Sequence, residues 1–171
     1  MNFKEGFASV KQNGKWGFID KTSKEVIPFK YEYGGVFSQG LATVKLNGTY
    51  GYIDKKGSEI VPFVYYEGFA FNEGAARVRT REGSASKWGF VDKKGKEIVP
   101  LIYDDAGDFI NGKGAVRLNE KYLFFDRTGK EVNEMDIISP EPVIISPVVK
   151  DADNLKNKKK AVVPVKPVKK Q

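Results

Sequence analysis

Apolar and polar positions alternate with a period of two in short runs, and tight-turn residues separate the runs. Ala42, Val44 and Leu46 alternate with Leu41, Thr43 and Lys45, the pattern of a half-buried strand. Asn47-Gly48 follows, as Asn13-Gly14 does earlier; both residue types tolerate positive φ, so each pair predicts a two-residue hairpin turn. A second strand runs over residues 50–54. Asp54-Lys55-Lys56-Gly57 then predicts another tight turn, with the Asp accepting from the turn backbone and Gly in the left-handed position. Ser23 replaces that Gly at the first such turn, which predicts slight strain there. A third strand, Glu59-Ile60-Val61, is expected to stop at Pro62, which cannot donate to a ladder. No stretch of ten or more residues has helical periodicity, so the predicted fold is all-β.

The same pattern recurs. Phe3, Phe37, Phe71 and Phe109 are spaced by 34, 34 and 38 residues, the extra length of the third copy falling around Glu82-Gly83-Ser84-Ala85-Ser86. Each copy then has an aromatic (Trp16, Tyr50, Trp88, Tyr122), an aspartate (Asp20, Asp54, Asp92, Asp126) and a glutamate (Glu25, Glu59, Glu97, Glu131) in register. Pro28, Pro62 and Pro100, then Tyr31, Tyr65 and Tyr103, complete the first three copies, while Glu134 stands at the proline position of the fourth. Agreement in this many columns identifies four tandem units, at about 3–36, 37–70, 71–108 and 109–133. A unit of three short strands cannot cover its own apolar face, so neighbours must stack. The expected architecture is an elongated, twisted antiparallel array of three-stranded repeats over residues 1–133. Residues 134–149, with Ile137-Ile138 and Val143-Ile144-Ile145, are expected to cap it, and residues 150–171 to form a disordered basic tail rich in Lys and Pro.

These columns resemble the WG repeat, also called the KWG repeat, of bacterial proteins. The matching stretches are Lys15-Trp16-Gly17-Phe18-Ile19-Asp20-Lys21 and Lys87-Trp88-Gly89-Phe90-Val91-Asp92-Lys93, each followed by a Glu, two aliphatic residues and a Pro. Copies two and four have Tyr for Trp, and copy four has Leu123 for Gly, which reads as a terminal unit. The resemblance implies no shared enzymatic activity. It implies repeats that often accompany other domains or sit on bacterial surfaces.

Composition narrows the chemistry. The 171 residues include no Cys and no His, which excludes thiol catalysis, disulfides, Cys/His zinc sites and imidazole bases. The net charge is +7, of which +5 comes from the segment after Ser139, with eight lysines against three acidic residues. No apolar run reaches the ~20 residues of a membrane span. The start of the chain has no hydrophobic signal region, an expectation that leans to the cytoplasm.

Four sets of residues are candidates for function. The aromatic column Trp16, Tyr50, Trp88 and Tyr122 suits either a platform for sugars or bases or, as expected here, packing between units. The basic columns Lys11, Lys45, Arg79, Arg117 and Lys21, Lys55, Lys93, Arg127 suit either a stripe for an anionic polymer or, as expected, ladders with the glutamate column. The aspartate column is expected to form turns rather than bind calcium, since a Lys or Arg follows each Asp. In the tail, Lys158, Lys159 and Lys160 offer charge without stacking, suited to weak, salt-sensitive contact with an anionic polymer or membrane surface. Asp104-Asp105 lacks a base or metal companion, so no catalytic set, cofactor or small-molecule substrate is expected. The expected function is a non-catalytic scaffold with a protein partner. Glycan or cell-wall binding through the aromatics and anionic-polymer binding through the tail are the alternatives.

Overall fold

The computed structural model describes residues 2–82 and 85–133; the expected cap and the basic tail, with Lys158, Lys159 and Lys160, lie outside them. The described residues form four antiparallel sheets and contain no helix. The first sheet is β1 (Phe7–Gln12), β2 (Lys15–Asp20) and β3 (Glu25–Tyr31). The second is β4 (Tyr33–Ser38), β5 (Leu41–Leu46), β6 (Thr49–Ile53) and β7 (Glu59–Tyr65). The third is β8 (Glu67–Gly68), β9 (Ala75–Glu82), β10 (Ala85–Asp92) and β11 (Glu97–Tyr103). The fourth is β12 (Asp105–Ile110), β13 (Lys113–Leu118), β14 (Lys121–Asp126) and β15 (Glu131–Val132). Strands follow one another in each sheet as a simple meander.

The first sheet has the three expected strands, and each later sheet adds a fourth, β4, β8 or β12, that leads into its opening phenylalanine. This strand is hard to read in sequence because Gly34-Gly35 and Gly107 interrupt the alternation at a register shift against the next strand. The third strand does not stop at its proline. β3, β7 and β11 run through Pro28, Pro62 and Pro100 to the following tyrosine. Between Trp16↔Tyr31 and Phe18↔Ile27, two steps on β2 oppose four on β3, so the proline lies in a bulge where no donor is required.

That bulge explains the Gly after each Trp or Tyr. A Cβ on Gly17 would stand 2.8 Å from the Ile27 carbonyl oxygen, and one on Gly51 would stand 2.8 Å from that of Val61. On Gly89 the distances would be 2.5 Å to the Val99 oxygen and 2.6 Å to that of Pro100. In the fourth sheet Leu123 stands at this position, and the described pairing of β14 with β15 covers Phe124↔Val132 and Phe125↔Glu131.

The second turn of each unit follows the predicted chemistry. Oδ1 of Asp54 accepts from the amides of Lys56 (2.8 Å) and Ser58 (2.8 Å), and Asp20, Asp92 and Asp126 repeat the arrangement. Ser23 takes φ 66°, the left-handed position that glycine fills in the other units.

Packing between consecutive sheets supplies the core. Phe37, Phe71 and Phe109 each meet an aromatic of the preceding sheet edge-on: Phe18 at 5.1 Å, Tyr52 at 4.9 Å and Phe90 at 5.2 Å between ring centroids. The middle sheets are covered on both faces. Ala42 and Val44 of β5 join the cluster with the first sheet, and Leu41 joins the cluster with the third. Leu41, Ala42, Thr43 and Val44 are therefore all buried, where the alternation predicted a half-buried strand.

A second device joins the sheets through their turns. Glu5 accepts from the Gly40 amide (3.1 Å), Gln39 from that of Gly74 (2.7 Å), and Glu73 from those of Asn111 (3.0 Å) and Gly112 (2.7 Å). Lys55 pairs with Glu5 (3.1 Å) and Arg127 with Glu73 (3.0 Å), again between sheets. This clasp accounts for the Glu or Gln before the glycine in the opening segment of the repeat, a role only the folded arrangement reveals.

Candidate functional site

The first basic column and the aromatic column lie side by side. Lys11 is in register with Trp16, Lys45 with Tyr50, Arg79 with Trp88 and Arg117 with Tyr122, each pair across the first hairpin of its unit. Directly opposed residues project from the same face, so each unit presents one cation beside one ring. Lys45 Nζ lies 5.3 Å from the Tyr50 ring centroid, and the Arg79 guanidinium 5.0 Å from that of Trp88.

Trp16, Tyr50 and Trp88 are half-buried, each packed against the edge of a core cluster. The following sheet supplies part of their cover: a Cβ on Gly34 would stand 3.0 Å from Trp16 Cβ, and the Tyr33 ring lies 6.2 Å from the indole. Tyr122 is 66% exposed, and among the described residues no further sheet follows to cover it. The column therefore forms the rim of the core rather than its centre. Phe18, Tyr52 and Phe90, two residues further on, fill the centre. Strand alternation points both positions to one face, so sequence spacing did not separate rim from centre.

The basic residues are tied to carboxylates unequally. Arg79 Nη2 is 2.6 Å from Glu67, whereas Arg117 Nη2 is 3.9 Å from Asp105. Of the second basic column, Lys55 and Arg127 belong to the inter-sheet clasps. The glutamates at 25, 59, 97 and 131 are exposed, and three of them lie near a tyrosine of the preceding sheet, Glu59 near Tyr31, Glu97 near Tyr65 and Glu131 near Tyr103. Burial, reinforced by these charges, raises all three phenols above their ordinary range. The expected carboxylate ladder thus joins different residues from those the columns suggested. Glu5, Glu67 and Glu73 take the basic side chains.

Grooves open along this rim where consecutive sheets diverge. One of about 500 Å³ lies between the second and third sheets, lined by Tyr33, Gly35, Thr43, Tyr50, Glu67 and Phe69 among others. Its counterpart beside the fourth sheet, about 330 Å³, is lined by Arg77, Asp105, Gly107, Arg117 and Tyr122 among others. Arg77 of the third sheet stands at the repeat position of Thr43, and its Nη1 donates to the Ala106 carbonyl (2.8 Å) at the second groove. Asp104 and Asp105 serve structure. Asp104 accepts from Lys87 (2.7 Å) and from the Asn119 amide (3.0 Å), and these two contacts hold its carboxyl below the usual range. Asp105 accepts from the Ala106 amide at 2.9 Å.

A family model described as the WG-containing repeat matches residues 1–16, 16–50, 50–82 and 88–122, running from one rim aromatic to the next. No curated protein sequence matches the chain. Among solved structures, one described as the crystal structure of the eukaryotic initiation factor is similar at 11% identity and a TM-score of 0.47. That likeness covers 69% of this chain, which spans 36% of the other, and it carries no argument about function. The repeat model spans well over half of the sequence in four consecutive matches, and the chain belongs to the WG-containing repeat family.

Proposed function

We propose that this protein is a non-catalytic repeat scaffold that binds a protein partner along the rim of cations and aromatics. The observation behind the reading is the shared register of Lys11 with Trp16, Lys45 with Tyr50, Arg79 with Trp88 and Arg117 with Tyr122. Trp, Tyr and Arg at half-exposed positions are the residue types that dominate binding energy at protein interfaces. Packed rings lose little side-chain freedom on binding, so such a rim is already organised for contact. The rim residues stand on strands of the sheets, and among the described residues Asp54 is engaged in a turn, Glu73 in a clasp and Glu67 in an ion pair.

The test is affinity capture from lysate and envelope fractions of the source cell at low and high salt. The baits are the full chain and a version ending at Val149. A partner retained by both baits at high salt supports the scaffold. Loss of every partner with the tail, or with salt, assigns the binding to the lysine-rich segment and overturns it. A second reading, glycan binding, draws on the groove beside Tyr33 and Tyr50, whose rings lie 5.7 Å apart. Cell-wall oligosaccharides that perturb a Tyr50→Phe variant and the unaltered chain alike would remove that reading's polar anchor.

A further inference from the structure

Asn-Gly occurs three times in the chain, at Asn13-Gly14, Asn47-Gly48 and Asn111-Gly112. All three pairs sit in two-residue turns of the same left-handed geometry, with φ of 48° and 81°, 51° and 82°, and 53° and 76°. Each asparagine is exposed, and among the described residues none of the three side-chain amides has a hydrogen-bond partner. Backbone conformation, exposure and side-chain freedom are therefore shared, which makes the turns a controlled comparison within one molecule.

They differ in what holds the glycine. The Gly48 amide donates to Glu32 at 3.1 Å. The Gly112 amide donates to Glu73 at 2.7 Å, and Glu73 also accepts from the Asn111 amide and pairs with Arg127, each at 3.0 Å. Among the described residues nothing accepts from the Gly14 amide.

That difference bears on a reaction that Asn-Gly pairs undergo in water. The glycine nitrogen gives up its proton and attacks Cγ of the asparagine. A C–N bond forms, the Cγ–Nδ2 bond breaks and ammonia leaves. Water then opens the resulting succinimide at either carbonyl, giving aspartate or isoaspartate with no change in oxidation state. Glycine favours the closure because it has no side chain to obstruct the approach. A carboxylate that accepts from the glycine N–H opposes it in two ways. Its charge disfavours loss of that proton, and the bond pins the nitrogen.

We infer that Asn13 is a site of spontaneous deamidation in the folded protein, and that Glu32 and Glu73 guard Asn47 and Asn111 against the same reaction. The protection follows the contacts. It is weaker at Gly48, which has one bond of 3.1 Å, and stronger at Gly112, whose acceptor is itself held by Asn111 and Arg127. Asn13 lies at the tip of the β1–β2 hairpin, beyond the Lys11–Trp16 pair. Conversion to aspartate puts a negative charge near that first cation of the rim. Conversion to isoaspartate adds a methylene to the backbone of the turn that sets the hairpin register. Both guarded turns are tied to the preceding unit by the very carboxylates that protect them, so the reaction is confined to a turn on which no joint between sheets depends. This inference goes beyond the scaffold reading and does not rest on it.

The test holds the full chain, folded, in mildly alkaline buffer and follows the three pairs by mass spectrometry after cleavage at glutamate. The same chain in concentrated urea gives each pair its own unfolded rate, which removes the effect of neighbouring residues. In the folded chain Asn13 is expected to convert within a few-fold of its unfolded rate. Asn47 should be slowed at least about tenfold, the factor carried by one hydrogen bond to a charged group, and Asn111 further still. Glu32→Ala, at an exposed position, should release most of the protection of Asn47 and leave Asn13 unchanged, with a melting curve to show that the variant is folded. Slowing of Asn13 equal to that of Asn47 and Asn111 would overturn the inference, and so would unchanged protection of Asn47 in the folded Glu32→Ala protein. The unaltered chain decides the first point whatever the variant does. The readout is the mass of the cleaved peptides, so its outcome is separate from whether affinity capture finds a partner for the scaffold.

Discussion

Gly17, Gly51 and Gly89 follow the rim aromatic because the partner strand crosses them at the proline bulge. Their backbones show no left-handed φ, so an alanine there would be opposed by contact alone. Gly51→Ala is expected to cost about 1–3 kcal/mol by overpacking, and Gly89→Ala at least as much, since it meets two carbonyl oxygens. Urea unfolding of both variants checks this; a loss under 0.5 kcal/mol at both would disconnect the glycine from the bulge. The aspartate turns were legible in sequence, since an Asp two and four residues ahead of free amides contains its own partners. The glycine was not: its cause is a carbonyl ten residues away, Ile27 for Gly17, brought across by the bulge.

Between elements, the clasps decide how one sheet meets the next. Hydrogen bonds from the Gly112 amide and the Arg127 side chain hold the Glu73 carboxyl below its ordinary 4.5. A lowered folded value means that the contribution is complete above about 4.5 and is lost as the pH falls through the lowered value. Glu73→Ala is expected to destabilise by about 1.5–3 kcal/mol at neutral pH, the range for hydrogen bonds to a charged group. Glu73→Gln should lose less, because Gln39 makes the same kind of contact in its own unit. Thermal melts from pH 7 to pH 3 should show the gap between the native chain and Glu73→Gln closing on the acid side. A gap independent of pH would mean that charge has no part in the clasp. Strand and turn order were readable because the turns announce themselves locally. The added strands β4 and β12 were obscured by glycines at a register shift, and the passage of β7 through Pro62 by a rule that holds only for an unbulged ladder.

Across the stack, stability is a matter of neighbours. Phe109 belongs to the contact between the third and fourth sheets, and Phe18 to that between the first and second. Phe109→Ala should cost about 3–5 kcal/mol in that contact. Hydrogen exchange should then speed up at the amides of Phe90 and Val116 while the amide of Phe18 stays within a few-fold of its native rate, as expected when repeats couple only to adjacent repeats. Uniform acceleration would instead mark one cooperative unit. The four-unit organisation was visible in the spacing of the columns. The meeting of Arg79 with Glu67 and Trp88 was not, because it depends on strand register across three strands and on an insertion that breaks the period.

The clasps also give the stack a direction. Glu5, Gln39 and Glu73 each reach forward to the glycine turn of the following unit. A unit duplicated in tandem therefore arrives with both halves of its joint, a reaching side chain for its successor and a receiving turn for its predecessor. The tips of the β1–β2, β5–β6 and β9–β10 hairpins lie at the opposite end of the strands from these joints, and the insertion is found at such a tip. Growth by copying and divergence by loop extension thus act on separate ends of the same unit, and a new specificity can be grafted at a tip without rewriting the joint that holds the units together.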